Sequence, residues 1–241
     1  MEHLQAVVLA AGDGGRLHPR TSATPKPLLR AGGRPIINHV LDALFAAGVR
    51  DTTVVVGYRG DQIRDALANL SPCGMTLRFV ENEHYLLGNA RSLWAARDAV
   101  HCGFVLAMAD HLLEPAILRA LTAGADGRCR LAVDRAAQDD PRAHEATRAR
   151  IDGGRVVDLG KHIDDWNALD TGAFWCTPAV FDAITPELRD GEAGAVFASL
   201  ARAGRLDAVD VTGSRWVDID TEHDLRDAEA MLAGSAAAAR A

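Results

Sequence analysis

A glycine-rich loop near the start of the chain and the lysine that follows it have residue types suited to binding phosphate. The loop, Gly12-Asp13-Gly14-Gly15-Arg16, comes directly after a run of apolar residues. Backbone N–H groups of a glycine turn can surround phosphate oxygens, and Arg16 adds a positive charge. The loop has neither the spacing of a dinucleotide fingerprint nor the ending of a Walker loop. A plain turn after a strand is the alternative interpretation.

Lys26 lies between Pro25 and Pro27, which restrict the backbone on both sides and hold the lysine in place. The chain contains 24 arginines but only two lysines, Lys26 and Lys161. An ammonium group is a compact, flexible cation, whereas a guanidinium is a planar fork. Both lysines are therefore candidates for sites that need a compact cation, although two lysines could also remain by chance.

Alternating strands and helices must position these residues in the first half of the chain. Apolar, β-branched segments predict strands, and periodic apolar segments predict helices. The predicted strands are 5–11, 52–56, 77–81 and 104–108, and the predicted helices are 36–47, 61–70, 92–100 and 115–123. This order predicts an α/β fold with a Rossmann-like, mostly parallel sheet flanked by helices. Ligands of such sheets bind beyond the carboxyl ends of the strands, where the glycine loop and Asp110-His111 lie.

The pattern becomes mixed from about residue 128 onward. Predicted strands are 130–134, 147–151, 155–159, 170–176 and 216–219, and predicted helices are 178–184, 194–203 and 221–232. We expect one domain over residues 1–233, with a nucleotide-binding part at 1–125 and an acceptor-binding part at 126–233. The low-complexity residues 234–241 are expected to form a flexible tail.

The combined motifs resemble those of the sugar-phosphate nucleotidyltransferases. Their signature, L-A-A-G-x-G-x-R-L followed by P-K-P-L, is present as Leu9 to Leu17 and Pro25 to Leu28. Segment 82–93 resembles the N-x-x-S-L region of cytidylyltransferases that use small phosphorylated acceptors. Within this group the order of motifs from Glu145 to Gly172 is most similar to that of the inositol 1-phosphate enzymes, and the phosphocholine and phosphonate enzymes are related. The resemblance covers nearly the whole chain and implies the nucleotide-diphospho-sugar transferase fold.

The resemblance also implies roles for individual residues. Arg16, Lys26 and Lys161 would be catalytic cations on the phosphates. The nucleotide would be bound by the first signature and the later segment, through Leu9, Ala10, Ala11, Gly12, Gly14, Gly15, Arg16, Asn89 and Ser92. The acceptor would contact His111, Lys161, Asp170 and Thr171. The structural alternatives are that Asn89 and Ser92 cap a helix, and that His111 only orients the Asp110 side chain.

Nucleotidyl transfer needs two anions to be held together for in-line attack on the α-phosphorus, with pyrophosphate leaving. A phosphate monoester is already largely ionised at neutral pH, because its second pKa is about 6. The protein must therefore supply donors, cations and a divalent metal rather than a base. Asp110 and Asp218, each at a strand end, are the expected ligands of Mg²⁺, with Asp220 as a third. Asp220 could instead cap the last helix.

The acceptor does not follow from the family. The segment between Arg16 and Pro25 is longer than expected for the inositol enzymes, and six arginines lie between residues 128 and 150. Some of these arginines could bind an anionic acceptor, although a solvated face is the default. Inositol 1-phosphate or a similar polyol phosphate is the first hypothesis, and a small phosphonate is the second. A silent nucleotide-binding module is the alternative from another class, but Lys26, Asp110, Lys161 and Asp218 are all present.

The bulk composition limits the other partners. The formal net charge of −7 argues against nucleic acid or an anionic membrane as a partner bound by overall charge. Neither a signal peptide nor a membrane span is recognisable, so we expect a cytoplasmic protein. The four cysteines are scattered without metal-site spacing. The expected partners are therefore CTP and a small anionic phosphoryl or phosphonyl acceptor, with the oligomeric state left open.

Overall fold

The structure, a computed structural model, describes residues 4–17, 19–70, 72, 74–136 and 140–238. The first half supplies seven strands: β1 (Gln5–Ala10), β2 (Arg30–Ala31), β3 (Arg34–Pro35), β4 (Asp51–Val56), β5 (Thr76–Glu81), β6 (Phe104–Met108) and β7 (His111–Leu113). Four helices alternate with them: α1 (Ile36–Ala46), α2 (Gly60–Leu70), α3 (Asn89–Ala95) and α4 (Pro115–Thr122).

The second half supplies six strands: β8 (Cys129–Arg135), β9 (Arg148–Asp152), β10 (Arg155–Gly160), β11 (Ala168–Cys176), β12 (Leu206–Asp210) and β13 (Trp216–Asp218). Its helices are α5 (Pro186–Arg189), α6 (Ala193–Arg202) and α7 (Glu222–Ala238).

One nine-stranded sheet forms the centre of the molecule, in the order β5-β4-β1-β6-β11-β8-β12-β10-β9. Four strands of the first half, β5, β4, β1 and β6, run parallel to one another. β11 pairs antiparallel with both β6 and β8, so the sheet becomes mixed where the second half begins. A separate two-stranded sheet of β7 and β13 lies beside it. The predicted α/β fold with a parallel first part and a mixed second part is confirmed.

Side chains of β1 alternate between two hydrophobic cores on opposite faces of the sheet. Val7 and Leu9 pack into one core, and Ala6, Val8 and Ala10 pack into the other. This alternation follows from the two-residue period of a strand. A third cluster packs α7 against Leu17, Ile36 and Leu112, which joins the end of the chain to the loops after β1 and β6.

Several element boundaries differ from the sequence prediction. Strand β12 was missed, because Asp207 and Asp210 are residue types depleted in strands. Both aspartates are paired with arginines at the ends of the neighbouring β8 strand, Arg128 directly before it and Arg135 as its last residue. The segment from Pro178 to Ala183 is a 3₁₀ helix rather than an α-helix.

Two helices also begin or end at residues other than those predicted from the sequence. Helix α3 begins at Asn89 and passes into a 3₁₀ turn at Ala96, rather than running from residue 92 to 100. Helix α7 continues to Ala238, beyond residue 232 where the sequence pattern ended it.

Candidate active site

The glycine-rich loop leaves β1 at the carboxyl end of the parallel strands and forms one wall of a large cavity. Leu9, Ala11, Gly12 and Arg16 line this cavity. Ala10 does not, because its side chain points into the core on the other face of the sheet. Gly14 and Gly15 are likewise not among the lining residues.

Gly14 instead allows the loop to approach Lys26. Its φ of +65° is in the left-handed region that favours glycine, and a Cβ there would lie 2.8 Å from Lys26 Cβ. The glycine at this position therefore has a packing reason, since any side chain would displace the lysine.

Lys26 begins a short 3₁₀ helix after Pro25 and is almost completely buried. Its Nζ lies 2.7 Å from Asp110 Oδ2 and 2.7 Å from Asp220 Oδ1. Burial by itself lowers the pKa of Lys26, but the attraction of Asp110 and Asp220 outweighs burial and raises the pKa above its ordinary 10.5. The ammonium is therefore a permanent charge that joins the loop after β6 to the start of α7.

Asp110 follows β6 and contacts two cationic groups. Besides Lys26, the Nδ1 atom of His111 lies 3.0 Å from Asp110 Oδ1. Burial favours the neutral acid, but Lys26 and then His111 hold the pKa of Asp110 well below its usual range. Asp110 is a carboxylate at every physiological pH.

Asp218 is brought to Asp110 by the small β7–β13 sheet, in which Asp218 is the register partner of His111. Asp218 Oδ2 lies 3.6 Å from His111 Nε2, so the imidazole bridges two carboxylates. Burial lowers the pKa of His111, but Asp218 and Asp110 raise it to about 9. Burial raises the pKa of Asp218, and His111 opposes this shift.

Three of these side chains could hold a metal ion together. Ligand atoms of Asp110, His111 and Asp218 all lie within 4.8 Å of one another. Asp218 Oδ1 is buried and has no hydrogen-bond partner among the described residues, which leaves it available to a cation. Two carboxylates at the edge of a cavity are suitable donors for a hard divalent ion. The donor set therefore fits a divalent metal.

Asp220, the third predicted metal ligand, shares Lys26 with Asp110 but is not part of the cluster of Asp110, His111 and Asp218. Its Oδ2 lies 2.6 Å from Arg16 Nη1, and its Oδ1 contacts Lys26. It does not cap α7, because Thr221 and Asp224 do so: the Asp224 carboxylate accepts hydrogen bonds from the backbone N–H groups of Asp220 and Thr221. Asp220 thus ties the two loop cations to the start of α7.

The cavity beside these charges has a volume of about 1020 Å³ and extends from β1 across to β10. Asn89 and Ser92 of α3, which the sequence analysis assigns to nucleotide binding, line it near β1. Asn89 Oδ1 accepts a hydrogen bond from the Ala193 N–H at 2.5 Å and so joins α3 to α6. Residues of α6 also line the cavity.

The predicted acceptor residues separate into two groups. His111, Lys161 and Asp170 line the cavity. Thr171 does not, because it is completely buried and its hydroxyl donates to the Ala132 carbonyl at 2.9 Å. Asp170 accepts a hydrogen bond from the Gly172 N–H, and burial raises the pKa of Asp170 to about 6.

Sequence reasoning missed several residues that line the cavity, namely Glu145, Thr147, Phe174, Glu192, Ser199, Arg202 and Trp216. Trp216 had a detectable signal, since Trp216, Asp218 and Asp220 alternate along one segment and strand side chains at this spacing share a face. The α6 residues had no such signal, because nothing in an amphipathic helix shows which part of its surface faces a cavity.

None of the six arginines between residues 128 and 150 lines the main cavity, so the alternative that some of them bind the acceptor there is not supported. Five of the six arginines pair with carboxylates, namely Arg128, Arg130, Arg135, Arg142 and Arg150. Arg148 donates instead to the carbonyls of Ala143 and Ile163. It also lines a smaller pocket of about 310 Å³ together with Arg16 and Lys161.

Among the helices that the structure describes, none has the length and apolar character needed to cross a membrane.

Comparison with known proteins gives a consistent result. The family model of the MobA-like NTP transferase domain matches residues 6–202. The chain is similar to the bifunctional IPC transferase and DIPP synthase of Rubrobacter xylanophilus, with 38% identity over 98% of this chain and 53% of that protein. It is also similar to the CMP-5'-(3-aminopropyl)phosphonate synthase of Streptomyces rubellomurinus, with 32% identity over 94% of this chain and 38% of that protein. The chain spans about half the length, or less, of these curated relatives.

Among solved structures, the inositol-1-phosphate CTP transferase from T. maritima superposes with a TM-score of 0.81. It is 28% identical and matches 92% of this chain and 91% of that chain.

Proposed function

The chain belongs to the MobA-like NTP transferase domain family, and on this premise we propose that it is a cytidylyltransferase. It transfers CMP from CTP to a small phosphorylated acceptor and releases pyrophosphate. Inositol 1-phosphate or a similar polyol phosphate is the first candidate acceptor. This choice is supported by the 28% identity with the inositol-1-phosphate CTP transferase over nearly the whole length of both chains.

The observation that carries the proposal is the placement of two cations, Arg16 and Lys161, on the wall of one cavity and of a third, Lys26, behind the lining carboxylates of Asp110 and Asp220. Lys26 is fixed and buried beside the Asp110 and Asp220 carboxylates. Arg16 lies at the rim with 61% of its side chain exposed, and Lys161 lines the side formed by β10. A site for two phosphorylated substrates needs positive charge at the phosphates of both, and this arrangement supplies it.

The reaction itself needs little proton transfer. An ionised oxygen of the acceptor phosphate attacks the α-phosphorus of CTP in line. The new P–O bond forms as the bond between the α-phosphorus and the bridging oxygen breaks, and the electron pair leaves with pyrophosphate. In this scheme Lys26 and Arg16 hold the triphosphate, and Lys161 holds the acceptor phosphate against the α-phosphate. Holding the reactants in this geometry is the main catalytic contribution of the protein.

Mg²⁺ is the proposed metal, and Asp110 and Asp218 are its proposed ligands, with Asp220 as a further candidate. The ion, when bound, neutralises negative charge on the nucleotide phosphates. The two carboxylate donors and the unpartnered Asp218 Oδ1 support this assignment.

A small phosphonate is the second candidate acceptor, and one feature of the cavity favours it. Glu145 and Asp170 bring carboxylates to the cavity wall, and Trp216 adds an aromatic ring. Carboxylates and an aromatic ring are groups that bind an ammonium, which an aminoalkylphosphonate carries. The name of the Streptomyces relative indicates an aminopropylphosphonate as that enzyme's substrate.

A silent nucleotide-binding module would not require this arrangement. Lys26 contacts Asp110, and Asp110 lies close to Asp218. Lys161 lines the same cavity as the two carboxylates. Their convergence supports catalysis over binding alone.

The proposal is tested by measuring pyrophosphate release with each of the four ribonucleoside triphosphates against a panel of acceptors. The panel contains inositol 1-phosphate, glucose 1-phosphate, phosphocholine, 2-aminoethylphosphonate and 3-aminopropylphosphonate, each with Mg²⁺. We expect release with CTP and one class of acceptor. Turnover with CTP and a phosphonate alone would favour the second candidate. Absence of CTP turnover across the whole panel would overturn the cytidylyltransferase assignment.

A further inference from the structure

Two cysteines face each other in the central sheet, where β8 begins and β11 ends. The two strands are antiparallel, and their register pairs Trp175 with Arg130. The next residues along the strands are Cys176, the last residue of β11, and Cys129, the first residue of β8. Both side chains pack into the same hydrophobic core, so they lie on one face of the sheet. The register therefore makes Cys129 and Cys176 direct cross-strand neighbours.

The spacing of directly opposed residues suits a disulfide. Their Cα atoms in an antiparallel pair lie about 4.5 to 5.5 Å apart. The Cα atoms of two cysteines joined by a disulfide lie about 4.4 to 6.8 Å apart. In the structure both cysteines are free thiols, and a hydrogen bond joins their side chains. A covalent bond between Cys129 and Cys176 therefore requires no rearrangement of the strands.

The two thiols differ in acidity. The hydrogen bond from Cys176 lowers the pKa of Cys129 to about 6 against the effect of burial, with further contributions from Thr177 and Arg205. Burial raises the pKa of Cys176 well above its ordinary value, and the hydrogen bond to Cys129 adds to this shift. At neutral pH, Cys129 is therefore mainly a thiolate, the nucleophilic form, whereas Cys176 keeps its proton.

The two thiols also differ in exposure. Cys129 is 5% exposed at the start of its strand, whereas Cys176 is completely buried. A small oxidant therefore reaches the sulfur of Cys129 first, and Cys176 reacts only through Cys129. A thiolate beside a second thiol that can resolve its oxidised form is the arrangement found in peroxide-sensitive cysteine pairs.

We propose that Cys129 and Cys176 are a peroxide-reactive thiol pair that closes to a disulfide between β8 and β11. The Cys129 thiolate attacks one oxygen of the peroxide, the O–O bond breaks, and the hydroxide that leaves takes up a proton to become water. The Cys176 sulfur then attacks the resulting sulfenic acid, the S–O bond breaks, and the Cys176 proton leaves with that oxygen as a second water. Two thiols are oxidised to one disulfide as one hydrogen peroxide is reduced to two waters.

The bond would enclose residues 130–175, which include Glu145, Lys161 and Asp170 of the cavity wall. A disulfide stabilises a protein mainly by restricting the unfolded chain, and a long loop gains more than a short one. Neither cysteine lines the cavity. Cys176 lies roughly 20 Å along β11 from Asp170, at about 3.3 Å per residue. Oxidation therefore stabilises the acceptor-binding part without filling the site, and the inference does not depend on the proposed function.

The test uses the full chain, which is reduced, freed of reductant and treated with an equimolar amount of hydrogen peroxide. Remaining thiols are alkylated with iodoacetamide in denaturant, and tryptic peptides are analysed by mass spectrometry. Trypsin releases Cys129 as a dipeptide with Arg130, and Cys176 lies in the peptide 162–189. We expect these two peptides to be joined, with the loss of two hydrogen atoms, while Cys73 and Cys102 are alkylated. The oxidised protein should melt about 5 °C or more above the reduced protein.

Three variants separate the roles of the two thiols. In Cys176→Ser, oxidation of Cys129 should stop at the sulfenic acid, and dimedone should label Cys129 at least tenfold more than in the wild type. In Cys129→Ser, we expect neither a disulfide nor dimedone labelling of Cys176. Cys102→Ser, which leaves both members of the pair in place, is the matched control and should form the same cross-link as the wild type. Thermal melting establishes that each variant is folded, and the wild-type experiment decides by itself if a variant is not.

The inference is overturned if peroxide treatment of the wild type leaves both cysteines alkylatable, or joins either of them to another cysteine in the same or a second chain. A lower melting temperature after oxidation would also overturn it, because the bond would then distort the strands. Equal dimedone labelling of Cys129 in the wild type and in Cys176→Ser would show that Cys176 does not resolve the sulfenic acid. None of these outcomes bears on the proposed transfer reaction.

Discussion

The ammonium of Lys26 lies 2.7 Å from the Asp220 carboxylate, although 194 residues separate them in the chain. Asp220 also pairs with Arg16, so both cations of the first loop region are anchored on one carboxylate at the start of α7. The two ends of the domain are joined at the point where the phosphates are proposed to bind. Stability and activity should therefore respond differently to changes in Lys26 and Arg16.

Lys26→Met should cost both activity and stability. Removal of the ammonium leaves Asp110 and Asp220 as buried carboxylates without their main partner, which costs about 3 to 5 kcal/mol. We expect turnover to fall by at least three orders of magnitude, measured by pyrophosphate release, and the urea midpoint to fall. The double variant Lys26→Met with Asp220→Asn should recover part of the lost stability but none of the activity. An additive loss of stability in the double variant would contradict the pairing.

Arg16→Gln should lower activity without lowering the stability of the fold. The Arg16 side chain is 61% exposed, and exposed ion pairs contribute about 0 to 1 kcal/mol to stability. We expect unfolding to change little while the KM for CTP rises roughly tenfold or more, because a guanidinium on the triphosphate is lost. Arg119→Gln, which removes an exposed arginine of α4, is the matched control and should change neither quantity. An unchanged KM in Arg16→Gln would remove Arg16 from the nucleotide site.

Asp218→Ala should abolish turnover while the protein remains folded. Burial already disfavours the charged form of this carboxyl, and Asp218 Oδ1 has no partner among the described residues. Its removal therefore takes away one stabilising contact, the 3.6 Å pair with His111, together with a proposed ligand of Mg²⁺.

We expect turnover to fall by orders of magnitude and Mg²⁺ affinity, measured by calorimetry without nucleotide, to weaken. Asp165→Ala, at an exposed carboxylate paired with Arg150, is the control. Wild-type turnover in Asp218→Ala would show that the metal site is wrong.

Asp170→Asn should stabilise the protein above pH 6. Burial raises the pKa of Asp170 from 3.8 to about 6, so the folded state holds its proton more tightly than the unfolded state. For an acid shifted in this direction, stability is greatest below pH 4 and is lost as the pH rises through 6. The amide has no charge to bury and should gain up to about 3 kcal/mol at pH 8, since each of about two pKa units corresponds to about 1.4 kcal/mol.

Chemical denaturation at pH 4 and pH 8 checks this prediction. The free energy of unfolding of the variant should exceed that of the wild type at pH 8 and equal it at pH 4. An equal difference at both pH values would mean that titration of Asp170 is not its cause. Loss of turnover in the stabilised variant would indicate that the carboxylate is retained for the acceptor.

Much of the site could be predicted from local sequence because its main motifs are contiguous. The glycine loop, the lysine between prolines and the aspartate after β6 each combine a strand end with a residue of definite chemistry. Strands of the first half are parallel, so their carboxyl ends meet at one edge and local motifs converge there. This reasoning correctly brought Arg16 and Asp110 to one cavity.

Side-chain direction was harder to predict. Thr171 and Asp170 are adjacent in one motif, yet Thr171 faces the core and Asp170 faces the cavity. Neighbouring residues of a strand point to opposite faces, and only the register of β11 against β8 determines which residue faces inward. The ion-pair partners of Arg128, Arg135 and Arg150 were not predictable for a related reason, because their aspartates lie in later segments of the chain.

The sequence by itself determined the fold class and the chemical types gathered at the strand ends, since both depend on local patterns of apolar, glycine and charged residues. Only the tertiary structure decided which charges pair: Lys26 with Asp220, His111 between Asp110 and Asp218, and Asn82 behind Ser92. Such pairings depend on strand register and on contacts between distant segments, and a linear pattern of residues does not specify either.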